Sequence, residues 1–390
     1  MNTWQSVKVA ELGRVVTGKT PKTAIAENYG GDVPFLTPSD DMSVKYVSKT
    51  AKTLTEKGLS EVKNTLLPPD AVCVSCIGSD LGKVVITTIN TVTNQQINSI
   101  IVDKERFDVS FVYYAMLILG KELNFISKTS TAVPIVNKSS FSSYEIQCPS
   151  LGQQKRISAI LSALDSKIEC NQKINDNLEQ QALAIFQQEL LRDGELPEGW
   201  SSGSLLDIAN YLNGLAMQKF RPADGENGLP VLKIKELRQG SCDDSSELCS
   251  PGIKPEYIVH DGDVIFSWSG SLLVDLWCGG ICGLNQHLFK VTSEKYPKWF
   301  YYAWTAHHLA RFVAIAADKA TTMGHIKREE LAKAEVVIPD AASIERIGGI
   351  LQPMYDLIIS KRIENRKLAA LRDTILPQLM SGELDVSDLT

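Results

Sequence analysis

The sequence has no apolar run long enough to cross a membrane, although 44% of its 390 residues are hydrophobic. A membrane-spanning helix needs about 20 consecutive apolar residues. The first four residues also lack the basic start and apolar stretch of a secretion signal. These absences predict a cytoplasmic protein, and the hydrophobic content is sufficient for the cores of two or three domains.

Cysteine is scarce, and its spacing does not indicate a metal site. Cys73 and Cys76 form a CxxC pattern within the segment AVCVSC, which has the composition of a strand. Residues three apart on a strand point to opposite faces, so these thiols are not expected to share a metal ion. Cys278 and Cys282 have no further ligand at a fixed spacing. We therefore predict eight reduced thiols and no bound metal.

Catalytic motifs are missing as well. A DNA amino-methyltransferase would carry an Asn/Asp-Pro-Pro-aromatic motif, and the nearest string, LPPD at residues 67–70, lacks both ends of it. Residues 78–83 (GSDLGK) do not have the spacing of a phosphate-binding loop, no GxGxxG follows a strand-like segment, and HExxH is absent. The five histidines suggest no catalytic triad. Together these absences favour a binding protein over an enzyme.

Positive charge is not in excess, because 40 lysines and arginines stand against 46 aspartates and glutamates, for a net charge of −6. This balance argues mildly against nucleic-acid binding. A chain of this charge that binds DNA needs local basic loops, or a partner that supplies many of the phosphate contacts.

An internal repeat is the main positive feature of the sequence. Trp4 aligns with Trp200, VCVS at residues 72–75 with VIFS at 264–267, and NQQ at 94–96 with NQH at 285–287. The offset drifts by only a few residues, as loop insertions would cause, and it settles at 190 toward the end of each copy. The pattern indicates a duplication, which by itself does not reveal a function.

Each repeat is predicted to be a globular part followed by a long helix. Short β-branched runs predict strands, and helical periodicity begins after Pro149 and again after Pro339. We therefore predict an α+β protein with globular α/β domains at residues 1–149 and 193–339. A central helix is predicted at 150–192 and a C-terminal helix at 340–390. Their apolar residues recur at alternating steps of four and three, which predicts an antiparallel intramolecular coiled coil with pseudo-twofold symmetry.

Two asparagines fall on the apolar seam of these helices at equivalent positions, Asn175 and Asn365. A buried asparagine can fix helix register at a cost in stability, so we expect both near the centre of the pair. A loosely packed polar gap is the alternative. The pair Gly348-Gly349 and Pro353 are expected to weaken or kink the start of the second helix, and Pro377 its end.

Several strings resemble the specificity subunits of type I restriction–modification enzymes. They are TGKTP at residues 17–21, GGDVPFLTPSD at 30–40, NQQIN at 94–98, PSL at 149–151 leading to QKRI at 154–157, LPEGW at 196–200 and, most diagnostic, LRDTILPQLMSGEL at 371–384. The resemblance covers essentially the whole chain. The second repeat departs from the pattern, because NGLAM at 213–217 lacks the Thr-Pro of the first, so its target should differ.

This resemblance implies a non-catalytic subunit with two target-recognition domains for double-stranded DNA. Each domain would read a few base pairs of a bipartite, asymmetric target, and the helices would set the gap between the two half-sites. Two methyltransferase subunits would dock on the helices, and restriction and translocase subunits could join them in phage defence. S-adenosylmethionine, and ATP with Mg²⁺, are expected in those partners, and no cofactor is expected in this chain.

The residues expected to contact DNA lie in polar, basic loops next to glycines. Lysine and arginine would mostly hold phosphates, whereas Gln, Ser, Thr and His would more often read base edges. In the first domain they are Lys19, Thr20, Lys22, Thr37, Ser39, Lys45, Ser75, Ser79, Lys83, Gln95, Gln96, Lys128, Thr129, Thr131 and Lys138. In the second domain they are Gln218, Lys219, Arg221, Lys233, Lys235, Ser267, Ser269, Ser271, Gln286, His287, Lys319, Thr321, Thr322, His325, Lys327 and Arg328.

Three alternatives stay open at this point. A coiled-coil scaffold that binds only protein would show no salt-dependent DNA affinity once assembled with its partners. A self-sufficient modification enzyme would methylate DNA alone, which the missing motifs disfavour. A specificity subunit of a methylation-only defence system has no sequence feature that separates it from the favoured interpretation.

Overall fold

The computed structural model describes residues 4–78, 81–129, 135–191, 194–318 and 325–386, with only the backbone described at 126–129 and 318. The chain divides into two compact units. Residues 1–166 with 370–390 form the first unit, and residues 167–369 form the second. Each unit has a large hydrophobic core of its own.

The first unit combines strands with helices of very different length. Its strands are β1 (Gln5–Lys8), β2 (Gly13–Thr17), β3 (Tyr29–Leu36), β4 (Tyr46–Val47), β5 (Lys52–Leu54), β6 (Ala71–Ser75), β7 (Val84–Thr87), β8 (Val92–Thr93), β9 (Ile97–Val102) and β10 (Glu145–Cys148). Its helices are α1 (Glu56–Glu61), α2 (Val109–Thr129) and α3 (Lys138–Ser143), followed by the first part of α4 (Leu151–Leu190).

A five-stranded sheet of order β2-β9-β6-β7-β4 forms the centre of this unit, beside a three-stranded sheet of order β5-β3-β8 and the pair β1-β10. Strand β6 is buried on both faces, because its side chains alternate between two cores. Val72 packs in the same core as Phe111 of α2, whereas Cys73 packs with Leu36. Cys76 lies in the core of Val72, so the two thiols of the CxxC pattern belong to different cores.

The second unit is also built of strands and helices, in a similar but not identical order. Its strands are β11 (Ser201–Ser204), β12 (Asn210–Asn213), β13 (Leu229–Leu232), β14 (Leu248–Cys249), β15 (Ile258–Val259), β16 (Val264–Ser267), β17 (Leu273–Leu276), β18 (Cys282–Leu284), β19 (Leu288–Thr292) and β20 (Glu335–Ile338). Its helices are α5 (Leu205–Ile208), α6 (Ile234–Gln239), α7 (Lys298–His307), α8 (Leu309–Asp318), α9 (Arg328–Ala332) and most of α10 (Ala341–Ser381).

Strand pairing in the second unit repeats that of the first. Strand β12 pairs antiparallel with β19 as β2 does with β9, and β13 pairs parallel with β18 as β3 does with β8. Strand β16 lies between β19 and β17, in the place that β6 occupies between β9 and β7. Two diverged sequences thus share a common set of strand pairings, which confirms the predicted α+β class and internal repeat.

The two long helices run antiparallel within the second unit. Asn171 Nδ2 donates to Asn365 Oδ1 at 2.8 Å, and Arg346 Nη2 donates to Glu189 Oε2 at 2.7 Å. The contact that lies nearer the C-terminal end of α4 thus lies nearer the N-terminal end of α10, as an antiparallel pair requires. Buried apolar residues of both helices, such as Phe186 and Leu351, extend the core of this unit.

The same antiparallel pairing occurs within the first unit. Arg372 Nη1 donates to Asp165 Oδ1 at 2.9 Å, and Ile157 lies at the same level as Ser381. Ile157 belongs to the core that also contains Leu379. The heptad pattern therefore correctly predicted which faces of the helices are buried.

Of the two seam asparagines, Asn365 forms hydrogen bonds across the helix pair. Asn365 bonds to Asn171 and donates to the Ile168 carbonyl at 3.2 Å, whereas the buried Asn175 has no partner for its Oδ1. An antiparallel pair matches residues whose numbers have a constant sum, so positions related by a constant offset face each other only at the middle of the pair. Asn175 and Asn365 lie within about one helical turn of that middle, as expected. Helix α10 runs without a break through Pro353 and Pro377.

In the part of the chain that the structure describes, no helix is both long and apolar enough to cross a membrane. No group of three or more His, Cys, Asp or Glu side chains there could hold a metal ion.

Candidate nucleic-acid interface

In the first unit, several loops leave the sheets at one edge. Thr17, the last residue of β2, lies opposite Asn98, and Ser75, the last residue of β6, lies opposite Ile97. The Asn94 N–H donates to the Leu36 carbonyl, so the turn after β3 lies beside the loop before β9. We call this surface the first loop edge, formed by residues 18–22, 37–40, 76–78, 94–96 and 135–138.

Gly18 makes the closest approach at the first loop edge. Its N–H donates to the Ile97 carbonyl at 3.1 Å, and a Cβ atom here would overlap the carbonyl oxygens of Thr93 and Asn94. Gly214 in the second unit meets Leu284 and Asn285 in the same way, so both repeats need a glycine at this position. The requirement explains why a glycine lies at the aligned position of each copy.

We expect Gly18→Ala to lower the free energy of unfolding by about 1–3 kcal/mol, the usual cost of an overpacked side chain. The loop that carries Gln95 should also shift, since the overlap lies against its backbone. Urea denaturation measures the first effect. Gly152→Ala in α4 is the matched control, because its Cβ meets nothing within 4 Å and alanine favours a helix. Equal stability of Gly18→Ala and wild type would contradict this packing.

Two glutamines of the first loop edge are oriented by hydrogen bonds to their oxygens. Thr20 Oγ1 donates to Gln95 Oε1 at 2.6 Å, and Asn94 Nδ2 donates to Gln96 Oε1 at 2.8 Å. Within the described residues, neither glutamine Nε2 has a protein acceptor. Amide N–H groups held in this way can donate to acceptors on base edges, such as guanine O6 or thymine O4.

The lysines of this edge anchor the loops by their backbone and expose their side chains. The Lys22 N–H donates to Glu61 Oε2 at 3.0 Å. Lys19, Lys22 and Lys138 are exposed, and exposed ammonium groups on loops held in place suit contacts to phosphates. Lys83 is exposed as well but lies outside this edge, and its N–H donates to Ser75 Oγ at 2.9 Å.

Thr37 and Ser39 shape the turn after β3. Thr37 Oγ1 donates to Asp40 Oδ2 at 2.8 Å and lies 2.7 Å from Ser39 Oγ. Ser39 is exposed and Thr37 is half-buried. Both remain predicted DNA contacts.

Lys45 lies inside the first unit, which corrects its predicted role as a DNA contact. Its Nζ donates to Ser162 Oγ at 2.8 Å and to Tyr114 OH at 3.1 Å. Burial lowers the pKa of Lys45 to about 8, although the Asp165 and Asp108 carboxylates act to raise it. The side chain therefore joins β4 to α2 and α4 and is not free to reach a ligand.

In the second unit, the corresponding loops form a second loop edge. Asn213 at the end of β12 lies opposite Phe289, and Ser267 at the end of β16 lies opposite Leu288. Ser269 forms an isolated bridge with His325. The second loop edge is formed by residues 213–216, 268–271, 285–287 and 325–328.

Rings gather at the second loop edge around Trp268. The ring centroid of Trp268 lies 6.2 Å from that of His287 and 6.2 Å from that of His325. Trp268 Nε1 donates to Asn213 Oδ1 at 2.9 Å, and Ser269 Oγ lies 3.1 Å from His287 Nδ1. The two exposed histidines are thus held in position beside Gln286, whereas the first edge offers amides and lysines in this place.

Three predicted cations of the second unit have acidic partners. Lys233 Nζ lies 2.6 Å from Glu247, and Arg221 lies 3.7 Å from the same carboxylate. The hydrogen bond and charge of Lys233 lower the pKa of Glu247. Lys235 Nζ lies 3.6 Å from Asp243 Oδ2 and also donates to Ser245 Oγ at 2.8 Å. For these side chains to bind DNA phosphates, their ion pairs with the carboxylates would have to break.

Buried serines are a second correction. Ser75 and its counterpart Ser267 are completely buried, and Ser267 Oγ donates to the Ser271 carbonyl at 2.9 Å. Ser269 is buried against His287. These hydroxyls support the loops and do not face solvent.

The remaining predicted DNA contacts either are exposed or lie outside the side chains that the structure describes. Exposed residues of the second unit are Gln218, Lys219, Ser271, Lys327 and Arg328. Outside the described side chains lie Ser79, Lys128, Thr129, Thr131, Lys319, Thr321 and Thr322.

Trp268 and Asn213 were missed by the sequence prediction. Trp268 continues the apolar string VIFSW, so its pattern indicates core, and the aligned residue in the first repeat is the buried Cys76. Asn213 aligns with Thr17 of the string TGKTP and was not included. These two residues become candidates for the interface only in the fold, where the loops that carry them lie side by side.

Comparison with known proteins gives consistent matches. The family described as "Type I restriction modification DNA specificity domain" matches residues 1–180 and 197–370. The type I restriction enzyme MjaIX specificity subunit of Methanocaldococcus jannaschii is 27% identical, over 99% of this chain and 94% of that protein. The HindI specificity subunit of Haemophilus influenzae is 34% identical, over 43% of this chain and 37% of that protein.

One solved structure has a similar fold over nearly the full length of both chains. It is the crystal structure of the type I restriction–modification system S subunit from M. genitalium, with a TM-score of 0.57. The match covers 99% of this chain and 97% of that chain at 14% sequence identity, so it bears on the fold alone.

Proposed function

Because the chain belongs to the type I restriction–modification DNA specificity family and contains its domain twice, we propose that it reads a bipartite, asymmetric DNA target for partner enzymes. Each unit would read one half-site through its loop edge. Chemistry on the DNA would belong to the partners, since the family is one of specificity subunits and not of catalytic subunits.

The observation that carries this proposal is the pair of loop edges. Both lie at the same strand ends of one repeated topology, and both present side chains that donate or accept hydrogen bonds. Their chemistry differs: the amides of Gln95 and Gln96 on the first edge align with Gln286 and His287 on the second. Different side chains on one scaffold predict two different half-sites.

The partners follow from the same family. The relatives found are subunits of type I restriction enzymes, so this chain is a subunit of such a complex. We propose that two methyltransferase subunits dock on α4 and α10, with S-adenosylmethionine bound in those partners. Methylation of a base within the duplex would require its extrusion from the stack. A nuclease and translocase subunit with ATP and Mg²⁺ would complete a restriction complex.

Lys19→Ala combined with Lys22→Ala should weaken DNA binding and flatten its salt dependence. Each lost phosphate contact reduces the slope of log K against log salt by about 0.9 for duplex DNA, so the slope should fall by up to about 2. Fluorescence anisotropy of the chain assembled with its methyltransferase, at several salt concentrations, measures this slope.

The control variant replaces Lys8 and Lys104, two exposed lysines outside the first loop edge. It removes the same charge and should leave the slope unchanged. If both double variants changed the slope equally, the effect would come from net charge and not from the loop edge.

A further inference from the structure

A buried asparagine lies within the first loop edge, in the turn before β9. Only 8% of Asn94 is exposed. Its backbone N–H donates to the Leu36 carbonyl at 3.0 Å, and its own carbonyl accepts from the Ile97 N–H at 3.2 Å. These bonds to the ends of β3 and β9 hold the backbone of Asn94 in place, so its side chain has a fixed starting point.

The side-chain amide of Asn94 has one possible orientation in this turn. The backbone N–H of Gln96 donates to Asn94 Oδ1 at 3.0 Å. A backbone N–H group can only donate, so the atom that it meets must be the amide oxygen and not the amide nitrogen. The Nδ2 group of Asn94 is consequently directed to its other neighbour, Gln96 Oε1, to which it donates at 2.8 Å.

The orientation of Asn94 decides that of the Gln96 amide. Because Nδ2 can only donate, Gln96 must turn its oxygen toward Asn94 and its Nε2 group away. The Gln96 backbone is also held on both sides, since its N–H bonds to Asn94 and its carbonyl accepts from the Cys76 N–H at 2.8 Å. Within the described residues, Gln96 Nε2 has no acceptor. The side chain thus offers two N–H donors to a ligand and keeps its oxygen turned inward.

The second repeat has the same asparagine turn but a different residue at the reading position. Asn285 aligns with Asn94, is 6% exposed, and accepts the His287 N–H on its Oδ1 at 3.3 Å. His287 stands at the position of Gln96, and its Nδ1 lies 3.1 Å from Ser269 Oγ. The turn therefore belongs to the scaffold of both repeats, whereas the oriented glutamine is particular to the first.

A glutamine held in this way should read a different base from a free glutamine. A free glutamine pairs with adenine through both amide atoms, accepting from N6 and donating to N7. With the oxygen turned inward, only the two donors face outward. At its major-groove edge guanine offers two acceptors, N7 and O6, and no donor. Cytosine offers a donor there, and thymine offers a single acceptor beside its methyl group.

We propose that Gln96 reads a guanine of the first half-site in the major groove, and that Asn94 is the positioning residue that sets this choice. This inference rests on the function proposed above. Gln95 has a similar arrangement, because Thr20 Oγ1 donates to Gln95 Oε1 at 2.6 Å. The first loop edge therefore favours base edges rich in acceptors and disfavours adenine at the position that Gln96 contacts.

Asn94→Asp tests the positioning role, because it should turn the Gln96 amide over. One carboxylate oxygen still accepts from the Gln96 N–H, and the other places an acceptor where Nδ2 was a donor. Gln96 Nε2 should then donate to this carboxylate and turn Oε1 toward the base. The preferred base should change from guanine to one with an amino donor, adenine or cytosine, with a shift in preference of roughly tenfold or more.

Gln96→Glu tests the same choice without a change in the buried turn. One carboxylate oxygen can accept from Asn94 Nδ2, and the other faces the base, where it suits the amino group of cytosine. Asn285→Asp is the matched control, because it adds the same charge to the equivalent turn, where the reading position holds His287 and not a glutamine. It should change the affinity through its charge and leave the preferred bases of both half-sites as they are.

Selection from duplexes randomised in both half-sites measures these preferences. The selecting protein is the full chain assembled with its methyltransferase. Gln96→Ala identifies the base position that Gln96 reads, because the preference there should be lost. We expect guanine at that position for wild type, and a base with an amino donor for Asn94→Asp and Gln96→Glu.

The results distinguish failure of the inference from failure of the proposed function. Wild type that selects no sequence contradicts the proposed function. A split target overturns the inference alone if Gln96→Ala relaxes no position, or relaxes a position where wild type prefers adenine, cytosine or thymine. A guanine preference that survives in Gln96→Glu, or in an Asn94→Asp variant that circular dichroism shows to be folded, would likewise overturn it. Gln96→Glu decides the question if Asn94→Asp does not fold.

Discussion

Replacing Gln286 and His287 by alanine is expected to relax recognition of one half-site and leave the other unchanged. A well-formed bidentate base contact contributes about 1–3 kcal/mol of discrimination, so losing two readers should cost roughly a hundredfold in affinity for the intact target. Neither side chain is part of the apolar core of the second unit, so the fold should persist. Binding to a library of randomised half-sites, with the methyltransferase present, measures the effect.

The matched variant replaces Gln95 and Gln96, which occupy the aligned positions in the first unit. This variant should relax the recognition of the other half-site by a similar amount. A uniform loss of affinity for all sequences, with no change in preference, would show that these residues hold the backbone and do not read bases.

Replacing Arg362 by methionine is expected to lower the stability of the second unit by about 3 kcal/mol. Arg362 Nη1 lies 2.6 Å from Asp275 of β17, and Nη2 lies 2.8 Å from Glu179 of α4. Burial alone would lower the pKa of Arg362, but these two carboxylates more than offset it and the net shift is upward. Removing one partner of a largely buried ion pair leaves uncompensated charge, which typically costs 3–5 kcal/mol.

Arg346→Met is the comparison for this effect. Arg346 pairs with Glu189 at 2.7 Å, but 54% of its side chain is exposed, and exposed pairs contribute only about 0–1 kcal/mol. Chemical denaturation of both variants tests the contrast. Equal stability of the two variants would mean that Arg362 does not hold β17 to the long helices.

Much of this fold follows from pattern alone. The duplication, the two long helices and their buried faces depend on periodicities that a folded chain must respect, and they were predicted. The partner of Asn365 was not, because the pattern gives the buried face of each helix but not which residues meet across an antiparallel pair. Asn171, which forms the contact, lies one helical turn before Asn175.

The loop edges could be predicted only in part. Gln95 and Gln96 were chosen as polar residues of a loop, and they lie on the first loop edge, where their contact with DNA stays a prediction. Lys45 was predicted to contact DNA because it stands in a short polar segment. That segment does not reveal the carboxylates and hydroxyls that lie close to Lys45 in the fold. Trp268 was missed for the opposite reason: a tryptophan after an apolar strand indicates core, and only the neighbouring loops make it part of a surface.

Two units that read two half-sites should direct one methyltransferase complex to a split target. The most direct measurement is to co-express the chain with its methyltransferase partner and to map modified adenines across the genome. Recognition of two half-sites by two units predicts a split motif, whose two parts lose their sequence preference separately in the Gln95/Gln96 and Gln286/His287 variants. A single uninterrupted motif, or no motif, would contradict it.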